Sequence, residues 1–199
     1  MRRKPKQVRA KRMVDDIIQA GLQCVAKNGL EGTTTRHIAD EAGISVGTLY
    51  QYFDDKEAVY QAMIEKARDE IVQSLLAIAP QIVQIDFRSG VLSILHEFSN
   101  FLEKDKGRYL KVFQYVGHFE ILEHIKVIET QLTQMASMYI MRHPDEIAPE
   151  KMQVMIYIIM NSGISTLIRY LSDPAPQFDR EALMEGLADM AAACIKGDA

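Results

Sequence analysis

The stretch from Thr33 to Lys56, TTTRHIADEAGISVGTLYQYFDDK, carries caps and breakers that leave room for only two short helices, a tight turn and the start of a third helix. The Thr34 hydroxyl can accept from the free amides of a first helical turn, which predicts a helix over 35–42 with Ile38 and Ala42 on one face. Gly43 then stands where a chain leaving a helix needs a left-handed φ. Ile44 points inward, and Ser45 caps a second helix that begins at Val46. Within it Val46, Leu49, Tyr50 and Phe53 follow the i, i+3, i+4, i+7 rule and predict a buried stripe, leaving Gly47, Thr48, Gln51 and Tyr52 outward. This pattern fits a helix-turn-helix, whose second helix enters the DNA major groove. A plain αα-hairpin of a helical bundle has the same caps and period, so spacing alone leaves both readings open.

Residue by residue, the stretch resembles the DNA-binding domain of the tetracycline-repressor (TetR/AcrR) family of transcriptional regulators. The resemblance runs through Gly32, Thr34, Ile38-Ala39, Ala42-Gly43-Ile44-Ser45, Gly47-Thr48-Leu49-Tyr50, Tyr52-Phe53 and Lys56-Glu57, about the first sixty residues. His37 departs from it, at a place that often carries an acidic residue. The resemblance implies DNA contacts among Thr34, Thr35, Arg36, Ser45, Val46, Gly47, Thr48, Tyr50, Gln51, Tyr52 and Lys56, with Lys56 on the phosphate backbone.

Charge distribution agrees with a nucleic-acid partner although the sum does not. The net charge of the 199 residues is −4, yet residues 1 to 12 hold seven basic side chains and no acid. A basic arm beside a helix-turn-helix is an electrostatic footprint for DNA. Alone, such an arm reads as a solubilising tail. The start MRRKPKQVRAKR leads into an amphipathic helix with no apolar signal region, and the longest apolar run, Val154 to Met160, is short of the roughly 18 residues of a membrane span. A cytoplasmic chain with no membrane partner is expected. Cys24 and Cys194 lie in helical apolar patterns and read as buried thiols.

Helical period continues along the chain without strand-like alternation, so the expected fold is all-α with about nine helices. The first runs from about Val8 to Lys27, with Val14, Ile17, Ile18, Gly21, Leu22 and Val25 inward and Asn28-Gly29 ending it. A fourth, capped by Asp54 or Asp55, runs from Lys56 to about Ile78, with Pro80 marking its end. This places a DNA-binding domain at 1–60 and a ligand-binding and dimerisation domain at 61–199, joined within one helix. Further helices are expected at 87–103, 108–115, 119–141, 150–172 and 179–196.

The last two are apolar on more than one side, which predicts a homodimer in which they pack against their copies as a four-helix bundle. Ile156, Met160, Gly163, Leu167, Leu183, Leu187, Met190 and Ala191 are the expected interface, and a two-fold dimer requires a palindromic operator in double-stranded DNA. In the middle region, aromatic and Met side chains mixed with a few polar ones suggest a pocket for an unknown small-molecule effector, though ordinary core packing has the same composition. Its candidate residues are His96, Phe98, Phe101, Phe113, His118, Met135, Met138, Tyr139, Asn161 and Ser165. No HExxH, Cys-rich spacing, P-loop, GxSxG or GxGxxG occurs, so no cofactor, no metal and no enzymatic activity are expected. The expected function is a ligand-responsive transcriptional regulator, most simply a repressor. The alternative is a non-inducible DNA-binding or protein-interaction module of the same fold.

Overall fold

The computed structural model describes residues 4–114, 122–144 and 149–195, and among them the secondary structure is entirely helical. Eight helices follow in order: α1 (Lys4–Asn28), α2 (Thr35–Glu41), α3 (Val46–Leu49), α4 (Lys56–Ile82), α5 (Phe87–Phe113), α6 (Leu122–Arg142), α7 (Pro149–Ser172) and α8 (Arg180–Ile195). They form two compact units, Met1–Ala67 with Glu103–Phe119, and Arg68–Leu102 with Glu120–Ala199. Both α4 and α5 therefore run from one unit into the other. The first unit also takes in a segment of α5 that the sequence places in the second domain.

The core of the first unit comes from α1 (Ile17, Leu22, Val25), α2 (Ile38, Ala39), α3 (Leu49), α4 (Val59, Tyr60, Met63) and α5 (Tyr109, Val112). A Cβ at Gly21 would stand 2.8 Å from Met63 Sδ, so a larger residue there would make the flexible Met63 side chain shift. The α5 segment is held to α1 by polar contacts: Arg108 Nη1 donates to Gln19 Oε1 at 2.9 Å, and Lys111 Nζ donates to the Ala26 carbonyl. Asp105 (φ 51°) and Gly107 (φ 71°) take left-handed backbone just before it, where the polar run predicts a break.

Tyr60, 3% exposed, braces the loop between α1 and α2. Its hydroxyl lies within donating distance of the Leu30 carbonyl at 3.0 Å and the Thr33 carbonyl at 3.2 Å. Burial, with Glu57 and the Cys24 thiol adding, pushes the phenol from its ordinary 10 up to about 12. Because the folded value lies above the unfolded one, this contribution is whole below pH 10 and is lost as pH rises through 12. Tyr60→Phe is expected to cost about 1 kcal/mol at neutral pH and to flatten the alkaline limb of a stability–pH curve between those values, as read by denaturant melts.

Three expectations for helix ends and faces are corrected. α1 begins at Lys4, so the described part of the basic arm is helical backbone, while Arg2 and Arg3 lie outside the described residues. Pro80 does not end α4, which continues to Ile82. A proline in the last turn removes one backbone bond, and the buried Ala79 and Ile82 hold the turn in place. Cys24 is buried, its thiol pushed up by desolvation, but Cys194 is exposed.

In the second unit, α8 is tied to α5 by Arg88 Nε to Asp189 Oδ1 at 2.5 Å and by His96 Nε2 to Glu181 Oε1 at 3.2 Å. These ties fix its rotation. Met184, Ala188, Ala191 and Ile195 face inward, while Met190 is 60% exposed and Leu183 and Leu187 are half-exposed. On α7, Met152, Met155, Met160, Gly163 and Leu167 face inward, leaving Val154, Tyr157 and Ile158 in solvent. Of the expected interface residues, Met160, Gly163, Leu167 and Ala191 are thus spent inside the chain. Both helices carry two apolar stripes, and the helical period alone does not say which one turns inward. By length and mean hydropathy, 1.4 over its best window, Lys151–Ser172 is long and apolar enough to cross a membrane, unlike the uninterrupted run Val154 to Met160. Its inward stripe nevertheless packs against protein.

Candidate nucleic-acid interface

The capping residues read from sequence hold the α2–α3 corner. Thr34 Oγ1 accepts from His37 N at 3.2 Å, and Ser45 Oγ accepts from Thr48 N at 3.0 Å. Between the helices Gly43 takes φ +68°. Its N–H bonds the Asp40 carbonyl at 3.2 Å and Ile44 N–H bonds the Ala39 carbonyl at 2.9 Å, the two bonds of a Schellman turn. Lys27 Nζ meets Glu41 Oε2 at 2.6 Å, joining the ends of α1 and α2 across the corner. Burial is concentrated in Ile38, Ala39 and Leu49, all 0% exposed.

The segment after Ser45 departs from the expected stripe. α3 spans only Val46–Leu49 and then tightens, with Gln51 N bonding the Thr48 carbonyl and Tyr52 N the Leu49 carbonyl. A tighter turn advances each residue further around the axis than an α-helix does. Tyr50, the C-cap whose N–H still bonds the Val46 carbonyl, is 48% exposed, its hydroxyl 3.5 Å from Thr35 Oγ1. Tyr50 and Thr35 are thereby brought to one surface from the end of α3 and the start of α2. Thr34, Arg36, Ser45, Gly47, Gln51 and Tyr52 are also exposed, and Thr35, Val46, Thr48 and Lys56 are partly so. Asp55, rather than Asp54, caps α4 by accepting from Ala58 N at 2.7 Å. Lys56 Nζ lies 5.3 Å from the centre of the Tyr60 ring, a cation–π distance that positions the ammonium at the start of α4. The result is an exposed edge of hydroxyls, two tyrosines and one carboxamide, flanked by Arg36 and Lys56.

The second unit contains two adjoining cavities that share Ile94, Leu132 and Ile159 as a common wall. One, about 80 Å³, is lined by residues including Ile82, Phe87, Val91, Met135, Tyr139 and Met155. The other, about 50 Å³, reaches Ile71, Leu75, Phe98, Ile128 and Met160. Of the sequence candidates, Met135, Tyr139 and Phe98 line these cavities. His96 pairs with Glu181 at the surface, Met138 is 44% exposed, and Asn161 and Ser165 face solvent. Phe101 is buried elsewhere, Phe113 belongs to the first unit, and His118 lies outside the described residues. Mixed polarity misdirects here because polar side chains on these helices find water or their own backbone, as Asn161 Nδ2 does on the Tyr157 carbonyl. Ile156, expected at a dimer interface, instead lines the first cavity. His124 has Nδ1 3.3 Å from Arg68 Nη1.

Residues 17–63, which contain all of α2 and α3, match the family model described as bacterial regulatory proteins, tetR family. Over these residues the chain is similar to the TetR family. Among curated relatives, the HTH-type negative transcriptional regulator IcaR of the biofilm operon in Staphylococcus epidermidis is 27% identical over 60% of this chain and 65% of that protein. The HTH-type transcriptional activator FasR of Mycolicibacterium smegmatis is 23% identical over 88% of this chain and 79% of that protein. The chain thus spans about two thirds of the first relative's length and more of the second's. Its fold is shared with FadR from Bacillus subtilis, solved in complex with stearoyl-CoA, at a TM-score of 0.69 and 18% identity over 90% of this chain and 98% of that one. The matched family model and these curated relatives are those of transcriptional regulators.

Proposed function

We propose that this chain is a cytoplasmic, homodimeric regulator of the TetR type that binds a palindromic operator through α2 and α3 and is released by a largely apolar effector in the second unit. The observation that carries the DNA reading is the exposed, uncharged edge of α3 between Arg36 and Lys56, set on a corner whose core is fully buried. Phosphate contacts from the flanking cations would position the protein, and the edge between them would read bases.

Dimerisation is supported by the outward face of α7 and α8. Val154, Tyr157, Ile158 and Met190 are exposed, more apolar surface than a lone helix pair leaves in water without a partner. Gly186 lies on the exposed side of α8, and a Cβ there would meet nothing within 4 Å. A helix-interior glycine that its own chain does not need suits close approach of a second helix. The relatives include a negative regulator and an activator, so the family does not fix the sign of control. Repression is the simpler outcome, because a dimer on a promoter-proximal site blocks polymerase.

Effector control is supported by the cavities and by helix continuity. Ile71, Leu75 and Ile82 of α4 line them, and the same helix begins at Lys56. An effector that favours one arrangement of α4 over another would shift operator affinity, typically by 1–3 kcal/mol of coupling. With FadR as the precedent, long-chain acyl thioesters are the first class to try. Ala136→Leu, which fills the larger cavity, is expected to bind operator as the wild type does and to lose release by such compounds in a fluorescence-anisotropy titration. Wild-type binding that no aliphatic compound alters, with no ligand-induced rise in melting temperature, would favour the non-inducible module.

A further inference from the structure

Most glycines of the DNA-binding unit have a structural reason inside the chain. Gly43 needs its left-handed φ, and a Cβ at Gly32 would collide with the Asn28 carbonyl oxygen. Gly47 has none. Its φ is not left-handed, and an added Cβ would meet only Ser45 Oγ, at an ordinary 3.7 Å. It is exposed within α3, where alanine would form the helix better. A glycine that weakens its own helix and relieves no internal clash suggests a requirement from outside the chain.

The residues around it narrow what that outside group is. From Ile44 to Phe53 there is no charged side chain, so α3 offers neither Arg nor Lys to the O6/N7 edge of guanine. The Thr48 hydroxyl lies 2.8 Å from Ser45 Oγ, which also accepts the Thr48 amide, so this hydroxyl is engaged and the methyl is the part of Thr48 left uncommitted. Val46 beside it is part-exposed and purely apolar. Gln51 is exposed, its side chain makes no hydrogen bond among the described residues, and it is the one carboxamide of the edge. Methyl groups pack against the thymine C5-methyl, and a carboxamide pairs with adenine N6/N7. Arg36, on the helix that crosses the backbone in this motif, is left for phosphate.

Resting on the regulator reading above, we infer that Gly47 marks the closest approach of backbone to DNA and that α3 reads A·T pairs, thymine methyls against Val46 and Thr48 and an adenine on Gln51. The glycine lets the major-groove floor come within reach of these short side chains, which a Cβ would hold off.

The test begins with selection of bound duplexes from a random pool by the full chain, followed by deoxyuridine substitution at each thymine of the enriched half-site. Deoxyuridine at one or two positions is expected to weaken the wild type by about fourfold each, the factor for one lost buried methyl. Val46→Ala is expected to bind more weakly and to lose sensitivity at one of them. Gln51→Ala should lose discrimination at one A·T pair by about tenfold. Gly47→Ala is expected to melt at or slightly above the wild-type temperature while operator affinity falls by about tenfold or more, the scale of a steric misfit. Enrichment of G·C pairs at the core of the half-site, indifference to deoxyuridine at every thymine, or wild-type affinity in Gly47→Ala would overturn this inference alone. A pool with no enriched sequence would overturn it together with the regulator reading.

Discussion

Replacing Tyr157 and Met190 together by aspartate is expected to leave a helical chain whose solution mass is that of one protomer, 22.6 kDa, and whose operator affinity falls by at least about 100-fold. Both residues are mostly exposed within the chain, at 66% and 60%, so their replacement should disturb neither the inward stripe of α7 nor that of α8. Four carboxylates brought to a two-fold axis would repel one another and lose hydration with no cation to pair them. The large loss on DNA follows from geometry, since two linked half-site readers act at a high effective concentration that separate protomers lack. Light scattering and anisotropy on the same preparation measure both quantities. A double variant that keeps the mass of two chains would place the interface elsewhere.

Leu49→Ala is expected to lower stability by about 2–5 kcal/mol, a large fraction of what a domain of this size possesses, and to abolish operator binding. Leu49 is 0% exposed and is the one buried residue of α3. A four-residue helix has no stability of its own, so its orientation depends on that side chain together with the caps at Ser45 and in the Gly43 turn. Surface changes should behave differently. Tyr52→Ala and Lys56→Ala are expected to weaken binding across all sequences without moving the melting temperature, because both side chains reach solvent. Thermal melts paired with anisotropy separate the two classes. Wild-type melting in Leu49→Ala would contradict the account of how α3 is held.

The helix-turn-helix was legible because its determinants are local. Thr34, Gly43 and Ser45 act on backbone within three or four residues of themselves, and those bonds form as the spacing predicts. Tyr50 departs from the expected stripe because α3 ends at Leu49 and leaves Tyr50 as its exposed C-cap. Errors elsewhere share one physical origin. On α7 and α8 each helix has two apolar stripes, and the choice between them is made by partners far along the chain, such as Arg88 for Asp189. The cavity walls, drawn from α4, α5, α6 and α7, are mostly aliphatic residues indistinguishable by type from other core positions. Aromatic and polar composition therefore points to Phe98, Met135 and Tyr139 but not to Ile82, Val91, Ile94 and Ile159.

Two copies of the α2–α3 corner are expected to read one duplex. A hydroxyl-radical footprint of the wild type on its selected site tests this most directly. The account predicts two protected patches of mirror-related sequence on one face of the DNA, one helical turn apart or a whole multiple of it, at about 34–36 Å per turn. A single asymmetric patch, or protection independent of sequence, would contradict it.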